Sequence, residues 1–144
     1  MLKYEKTDWK GRRPLRNVYT IENHVDIHNK ITFSVNEKAQ DIQMIPAGKV
    51  IVNSDDHAFI YIVEEGEVFS YLHFGEATWP ALVEMLVRGE DPLLFAAGET
   101  VELHQFHEEL EALIYNIEGN SNYGDEFVAQ VETAFRAILA NDEV

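Results

Sequence analysis

The stretch FHEELEALIYNIEGNSNYGDEFVAQVETAFRAIL, residues 106–139, decides the fold class, because it holds two amphipathic helical patterns joined by a short polar segment. The first pattern repeats apolar residues at steps of three and four, the period of one helix face. Its members are Phe106, Leu110, Leu113, Ile114 and Ile117. Gly119 ends this helix, since glycine adopts the left-handed conformation that follows a helix without a clash. A second apolar stripe runs from Phe127 to Leu139. So short a loop predicts two adjacent, antiparallel helices.

The polar loop between these helices has the composition of a calcium site but the wrong register. An EF-hand loop needs oxygen ligands at its first, third, fifth and twelfth positions and glycine at its sixth. Placing Gly124 sixth puts Gly119 first, and placing Gly119 sixth puts Ile114 first. The spacing therefore favours a plain interhelical turn.

Residues 25–35 change to a period of two, which is typical of a half-buried strand or hairpin. With a loop at residues 28–30, Ile27 would pair with Ile31 and Val25 with Phe33, so the apolar set would share one face. A single long strand gives the same face. Either form leaves the polar residues between them on the wet face.

The middle of the chain predicts further strands and one helix. Residues 58–63 are apolar at every position, which is typical of a central strand covered on both faces, and residues 68–74 return as its hairpin partner. Pro46-Ala47-Gly48 predicts a turn. A helix spans 78–88 and ends at Gly89, and strands follow at 93–95 and 101–103. The prediction is an α+β fold: a mostly antiparallel sheet of about six to eight strands, with the mid-chain helix and the C-terminal antiparallel helix pair packed on it.

Charge divides the chain into a basic tail or extension, residues 1–16, and an acidic remainder, residues 17–144, which we expect to form a single α+β domain. Residues 1–16 carry a net charge of +4, and the whole chain carries −15. The acidic body should repel nucleic acid and anionic membranes. Attraction of basic partners is one interpretation of this charge, and solubility alone is the other, which we favour. There is no cysteine, which excludes disulfides, thiolate catalysis and cysteine zinc sites. Without a signal-like or membrane-spanning apolar run, the expected location is the cytoplasm.

Histidines are the only candidate metal ligands. His24, Asp26 and His28 would share one face of a straight strand, and polar alternation on a wet face is the alternative interpretation. His104 and His107 are three residues apart beside a helix start, where local hydrogen bonding is the alternative. No phosphate-binding glycine loop, dinucleotide fingerprint or nucleophile elbow occurs, so we expect no cofactor and assign no catalytic residue.

Four blocks carry a family resemblance: VNSDDHAFIYIVEE, ATWPALVEML, LHQFHEELEALI and NIEGNSNYGDEF. In order and spacing they resemble a family of short, uncharacterised cytosolic proteins of Bacillus-type Gram-positive bacteria, over roughly residues 25–137. The resemblance implies a bacterial cytoplasmic protein and brings no activity, cofactor or catalytic residue. Residues 1–16 match nothing in that family.

Three functional hypotheses remain. The leading one is a small acidic cytoplasmic protein that is not an enzyme and acts through protein contact, without nucleic acid or membrane partners. The second is an acidic inhibitor or immunity-type protein that neutralises a basic enzyme or nucleic-acid binder. The third is a metal- or ligand-dependent enzyme that uses the histidines.

Overall fold

The computed structural model describes residues 17–35, 44–96 and 98–141; the predicted tail, 1–16, lies outside them. The strands are β1 (Val18–Ile27), β2 (Lys30–Val35), β3 (Met44–Asn53), β4 (Ala58–Glu65), β5 (Val68–Gly75), β6 (Leu93–Ala96) and β7 (Glu99–Glu102). The α-helices are α1 (Trp79–Arg88), α2 (Phe106–Ile117), α3 (Asp125–Ala134) and α4 (Arg136–Asn141). Short 3-10 turns occupy Glu76–Thr78 and Ser121–Tyr123.

The seven described strands form one sheet in the order β3-β4-β5-β1-β2-β6-β7. Four of the six pairs are antiparallel, while β1–β5 and β2–β6 are parallel. The prediction of an α+β fold with a mostly antiparallel sheet is therefore confirmed. Residues of the two edge strands, β3 and β7, approach one another, so the sheet is strongly curled.

The core lies against one face of this sheet and is rich in aromatic rings. Phe59 and Tyr61 of β4 are fully buried on that face. The Phe59 ring lies 5.4 Å from the Trp79 ring and 5.9 Å from the Phe135 ring. The Tyr61 ring lies 5.0 Å from that of Phe106. The apolar stripes predicted for the helices thus supply core residues, each ring pair adding to the stabilisation from buried area.

The predicted register of the β1–β2 hairpin is wrong. Its turn consists of His28 and Asn29 alone, with φ of 52° and 65°, and it pairs Ile27 with Lys30. Two positive φ values are typical of the tight turns whose twist matches paired strands. Because side chains alternate along a strand, a shift of one residue exchanges the faces. Ile31 and Phe33 enter the core, whereas Val25 and Ile27 point to the opposite face and are 53% and 49% exposed.

Two other predictions need correction. Residues 46–48 lie within β3, where the register with β4 shifts between Pro46 and Val50, so they form an irregularity in a strand and not a turn between elements. The second C-terminal helix is interrupted at Phe135, whose φ of −108° and ψ of 25° leave helical geometry. This residue is completely buried, and its ring also lies 5.6 Å from that of Trp79. A helical period does not report such a packing-dependent break.

Gly119 provides a test of the helix-ending prediction. Its φ is +66°, and nothing lies within 4 Å of the position that a Cβ would take, so a larger residue would meet backbone strain without a clash. We expect Gly119→Val to lower the free energy of unfolding by about 1–2 kcal/mol and Gly119→Asn by less, because asparagine tolerates this conformation. Urea unfolding measures both. Gly75→Ala is the control, since Gly75 has a negative φ and equally open space. Equal midpoints for Gly119→Val and the control would contradict the assignment.

Candidate functional site

An apolar groove of about 410 Å³ lies on the sheet face opposite the core. We define it by its lining residues: Val25, Ile27, His28, Lys30, Thr32, Ser34, Leu93, Phe95 and Thr100. The register explains its shape. On this face β2 presents Thr32 and Ser34, flanked by Val25 and Ile27 of β1 and by the larger residues of β6. Small hydroxyl residues on a central strand between two apolar rows leave a trough along that strand.

Charged groups close one end of the groove. Lys30 Nζ donates a hydrogen bond of 3.0 Å to the carbonyl oxygen of Asp91 and lies 3.7 Å from Glu102 Oε2. The Lys30–Glu102 pair leaves little net charge at this end. Phe95, on the opposite wall from Ile27, is 48% exposed. The groove therefore offers apolar surface and hydroxyl groups to a partner, rather than an ion-binding centre.

His24, Asp26 and His28 do not converge. Asp26 lies on the core side of the hairpin, where its carboxylate accepts a 2.6 Å hydrogen bond from Arg88 Nη2. This bond, which outweighs slight burial, lowers the pKa of Asp26. The His24 ring instead lies 5.9 Å from the Phe33 ring, and His28 sits in the turn at the groove. His24 and Asp26 do share a strand face, as predicted, and both are exposed; this face is the one that also carries Phe33 and Ile31, and it is not the groove face.

His104 and His107 belong to the junction that begins α2. His107 Nδ1 lies 2.7 Å from Asp91 Oδ1, and the two carboxylate oxygens of Asp91 accept hydrogen bonds from the N–H groups of His107 and Gln105. Burial raises the pKa of Asp91, but these hydrogen bonds lower it by more, so the net pKa is below the ordinary value. Gln105 has a φ of 63° and makes no side-chain cap. Asp91, fourteen residues earlier, takes over the capping role.

The second half of this junction joins β3 and β4 to the α2 loop. His104 Nε2 lies 3.1 Å from the Pro46 carbonyl oxygen. The hydroxyl of Tyr61 donates to the His104 carbonyl at 2.8 Å and accepts from Gly48 N–H at 3.2 Å. A Cβ at Gly48 would come within 2.5 Å of Gln105 Oε1, so only glycine fits without rearrangement. The His104 ring thus connects the loop before α2 to β3, 58 residues away along the chain, and not through the local hydrogen bonding named as the alternative.

Glu65 was not among the residues singled out from the sequence. The residue ends β4 and is 3% exposed. Its Oε1 accepts hydrogen bonds from Asn17 Nδ2 at 3.0 Å, and Ser70 Oγ at 2.8 Å, and Tyr19 OH donates to both carboxylate oxygens. These donors satisfy the buried carboxylate, as burial of a charge requires. No local pattern reports donors that lie 46 and 48 residues away.

Among residues 17–35, 44–96 and 98–141, no group of three or more His, Asp or Glu side chains is placed to hold a metal ion. In the same residues no helix combines the length and apolar character needed to cross a membrane.

The fold and groove thus define a small α+β protein with an acidic surface and an open apolar face. The chain belongs to UPF0738, a family of unknown function, whose family model matches residues 19–135. A UPF0738 protein of Lysinibacillus sphaericus is 47% identical over 126 residues, covering 88% of this chain and 99% of the relative. The Halalkalibacterium halodurans protein BH2850 is 40% identical, covering 75% and 89%, and Bacillus subtilis YjbL is 32% identical, covering 80% and 99%. The resemblance read from the four blocks is confirmed. No solved structure matches.

The Asp91 cap predicts a pH-dependent stability. We expect Asp91→Ala to lower the free energy of unfolding by about 1–2 kcal/mol near neutral pH, because it removes the acceptor for two N–H groups at the start of α2. A lowered carboxyl pKa contributes stability that is complete above about pH 4 and is lost as the pH falls through the folded-state pKa. The difference between wild type and variant should therefore shrink as the medium is acidified.

Urea unfolding at neutral and acidic pH measures this difference, and Glu90→Gln is the control, since Glu90 is an exposed neighbour. A difference between wild type and Asp91→Ala that stays constant on acidification would contradict the ionised cap.

Proposed function

We propose that this protein is a non-enzymatic cytoplasmic protein that acts through contact with another protein, and that the apolar groove is its contact site. The observation that carries this proposal is the exposure of Val25 and Ile27 on one wall of the groove and of Phe95 on the other, on the sheet face opposite the core. Single exposed apolar residues are ordinary, but an exposed apolar concavity is typical of a recognition surface.

The arrangement of the helices supports an open groove. In our proposal α1 and the antiparallel pair formed by α2 and the α3–α4 segment cover the core face alone. Ring contacts from Trp79, Phe106 and Phe135 all reach core-side residues of β4 or β5. The apolar stripes of these helices then face the core rather than the opposite sheet face, and the groove remains accessible.

Charge supports a basic partner. The described residues contain twenty Asp and Glu and four Lys and Arg, a net charge of −16. Two of those four cations, Arg88 and Lys30, already have acidic neighbours within 4 Å. The surplus of carboxylates creates a field that speeds association with cationic proteins and opposes acidic ones. If the partner is a basic enzyme or nucleic-acid binder, this contact takes the form of an acidic inhibitor.

Site-specific photo-crosslinking tests the contact site. A benzoylphenylalanine is placed at Phe95, in the groove, or at Val87, an apolar residue of α1 that is 60% exposed. In cells that express the chain, we expect the Phe95 probe to give a discrete protein adduct that the Val87 probe does not give. Ile27→Ser should remove most of that adduct, since truncation of a central apolar contact commonly costs more than about 1 kcal/mol.

High salt during crosslinking in lysate should weaken the adduct, because the attraction between charged surfaces is screened. An equal yield of adduct from both probes, or a yield that Ile27→Ser does not change, would contradict the groove as the contact site. Circular dichroism of Ile27→Ser confirms that the variant is folded.

A further inference from the structure

The groove has the width needed to hold one extended polypeptide. It runs along β2, with apolar rows on β1 and β6 to either side. Neighbouring strands lie about 4.8 Å apart, so the two rows are separated by roughly 10 Å, the spacing that a single extended chain needs. The row on β1 is Val25 and Ile27, and the row on β6 is Leu93 and Phe95.

The floor of the groove contains the buried hydroxyl of Thr32, for which we identify no hydrogen-bond partner among the described residues. Thr32 lines the groove and is only 6% exposed. Within residues 17–35, 44–96 and 98–141, no side-chain hydrogen bond to its hydroxyl is found. Buried polar groups are almost always hydrogen-bonded, because an unpaired one loses its interaction with water without compensation. Ser34 and Thr100 add two further hydroxyl groups to the same surface.

These features select the chemistry of the occupant. A ligand without hydrogen-bond acceptors would leave the Thr32 hydroxyl unpaired, whereas an extended peptide brings a carbonyl acceptor at every residue. An acidic segment, or a second copy of this chain with its charge of −15, would meet electrostatic repulsion. A segment with Lys or Arg beside its apolar residues would meet attraction.

We propose that the groove binds an extended basic segment of a partner protein. Its apolar side chains pack between Ile27 and Phe95, and one of its backbone carbonyl groups accepts a hydrogen bond from Thr32. Its flanking cations are attracted by the net negative charge of the chain. This proposal rests on the proposed function and specifies the partner's chemistry.

Three fluorescently labelled peptides probe this chemistry with the full-length chain. The first is Lys-Lys-Val-Thr-Phe-Thr-Val-Lys-Lys, the second replaces every Lys with Glu, and the third replaces its Val and Phe with Ser. Fluorescence anisotropy should show the first peptide binding at least about 10-fold more tightly than either of the others, since both the charge and the apolar side chains are required. Phe95→Ser should weaken that binding, and Val87→Ser should leave it unchanged.

Thr32→Val separates recognition from folding. Valine keeps the shape of threonine and removes the hydroxyl, so the melting temperature of the free protein should stay the same or rise. Binding of the basic peptide should nevertheless weaken by about 5- to 10-fold, the usual value of one hydrogen bond. Thr133→Val, on the exposed part of α3, is the matched control for both measurements.

Four outcomes overturn the proposal. The first is equal affinity for the basic and acidic peptides. The second and third are an affinity for the basic peptide that Phe95→Ser leaves unchanged and one that Thr32→Val leaves unchanged. The fourth is a concentration-dependent dimer, seen by light scattering, that Phe95→Ser abolishes. The last would assign the groove to a second copy of the chain. If the Phe95 crosslink to a partner persists while the basic peptide fails to bind, the segment chemistry is wrong and the proposed function stands.

Discussion

The two-residue turn at His28 and Asn29 is the constraint on which the groove depends. Both residues have positive φ, and together they bring Ile27 opposite Lys30. Since side chains alternate along each strand, this one pairing sets the orientation of the hairpin residues from Asn23 to Ser34, up to the register shift between Ile21 and Asn23. A three-residue turn would have placed Val25 and Ile27 in the core beside Phe33. The shorter turn puts them on the opposite face instead, where they form one wall of the groove.

Arg88 fixes this turn to the rest of the molecule. It lies in the last turn of α1, and its Nη1 donates to the Asn29 carbonyl at 3.1 Å while Nη2 donates to Asp26. The hydrogen bonds with Asp26 and with Glu84 raise the pKa of Arg88, and the one with Arg88 lowers the pKa of Asp26. The pair is open to solvent, so its contribution to stability is small. Its geometric effect is larger, because a planar guanidinium that holds both a strand and a turn specifies one register.

Local patterns were sufficient to predict the fold class and the positions of α1 and α2, but not the break at Phe135 that divides α3 from α4. The apolar steps of α2 and the left-handed Gly119 depend on residues within one or two helical turns, and both are present. Contacts between residues far apart along the chain could not be predicted from these local patterns. The alternation in residues 25–35 has the same appearance for two turn lengths, so it could not decide the faces. The cap from Asp91 to α2 and the burial of Glu65 each depend on partners far along the chain. The groove, which follows from the hairpin register, was missed for that reason.

Apolar residues on both faces of a sheet favour aggregation, which the net charge of this chain opposes. An exposed apolar face on a sheet promotes association between copies. Here each copy carries a charge of −15, and like charges on two copies repel at the distances over which they would first meet. The same charge lowers the free energy of approach for a cationic polypeptide. The acidic composition therefore does more than prevent aggregation: it makes an exposed groove tolerable to the free protein and at the same time restricts which molecules reach it.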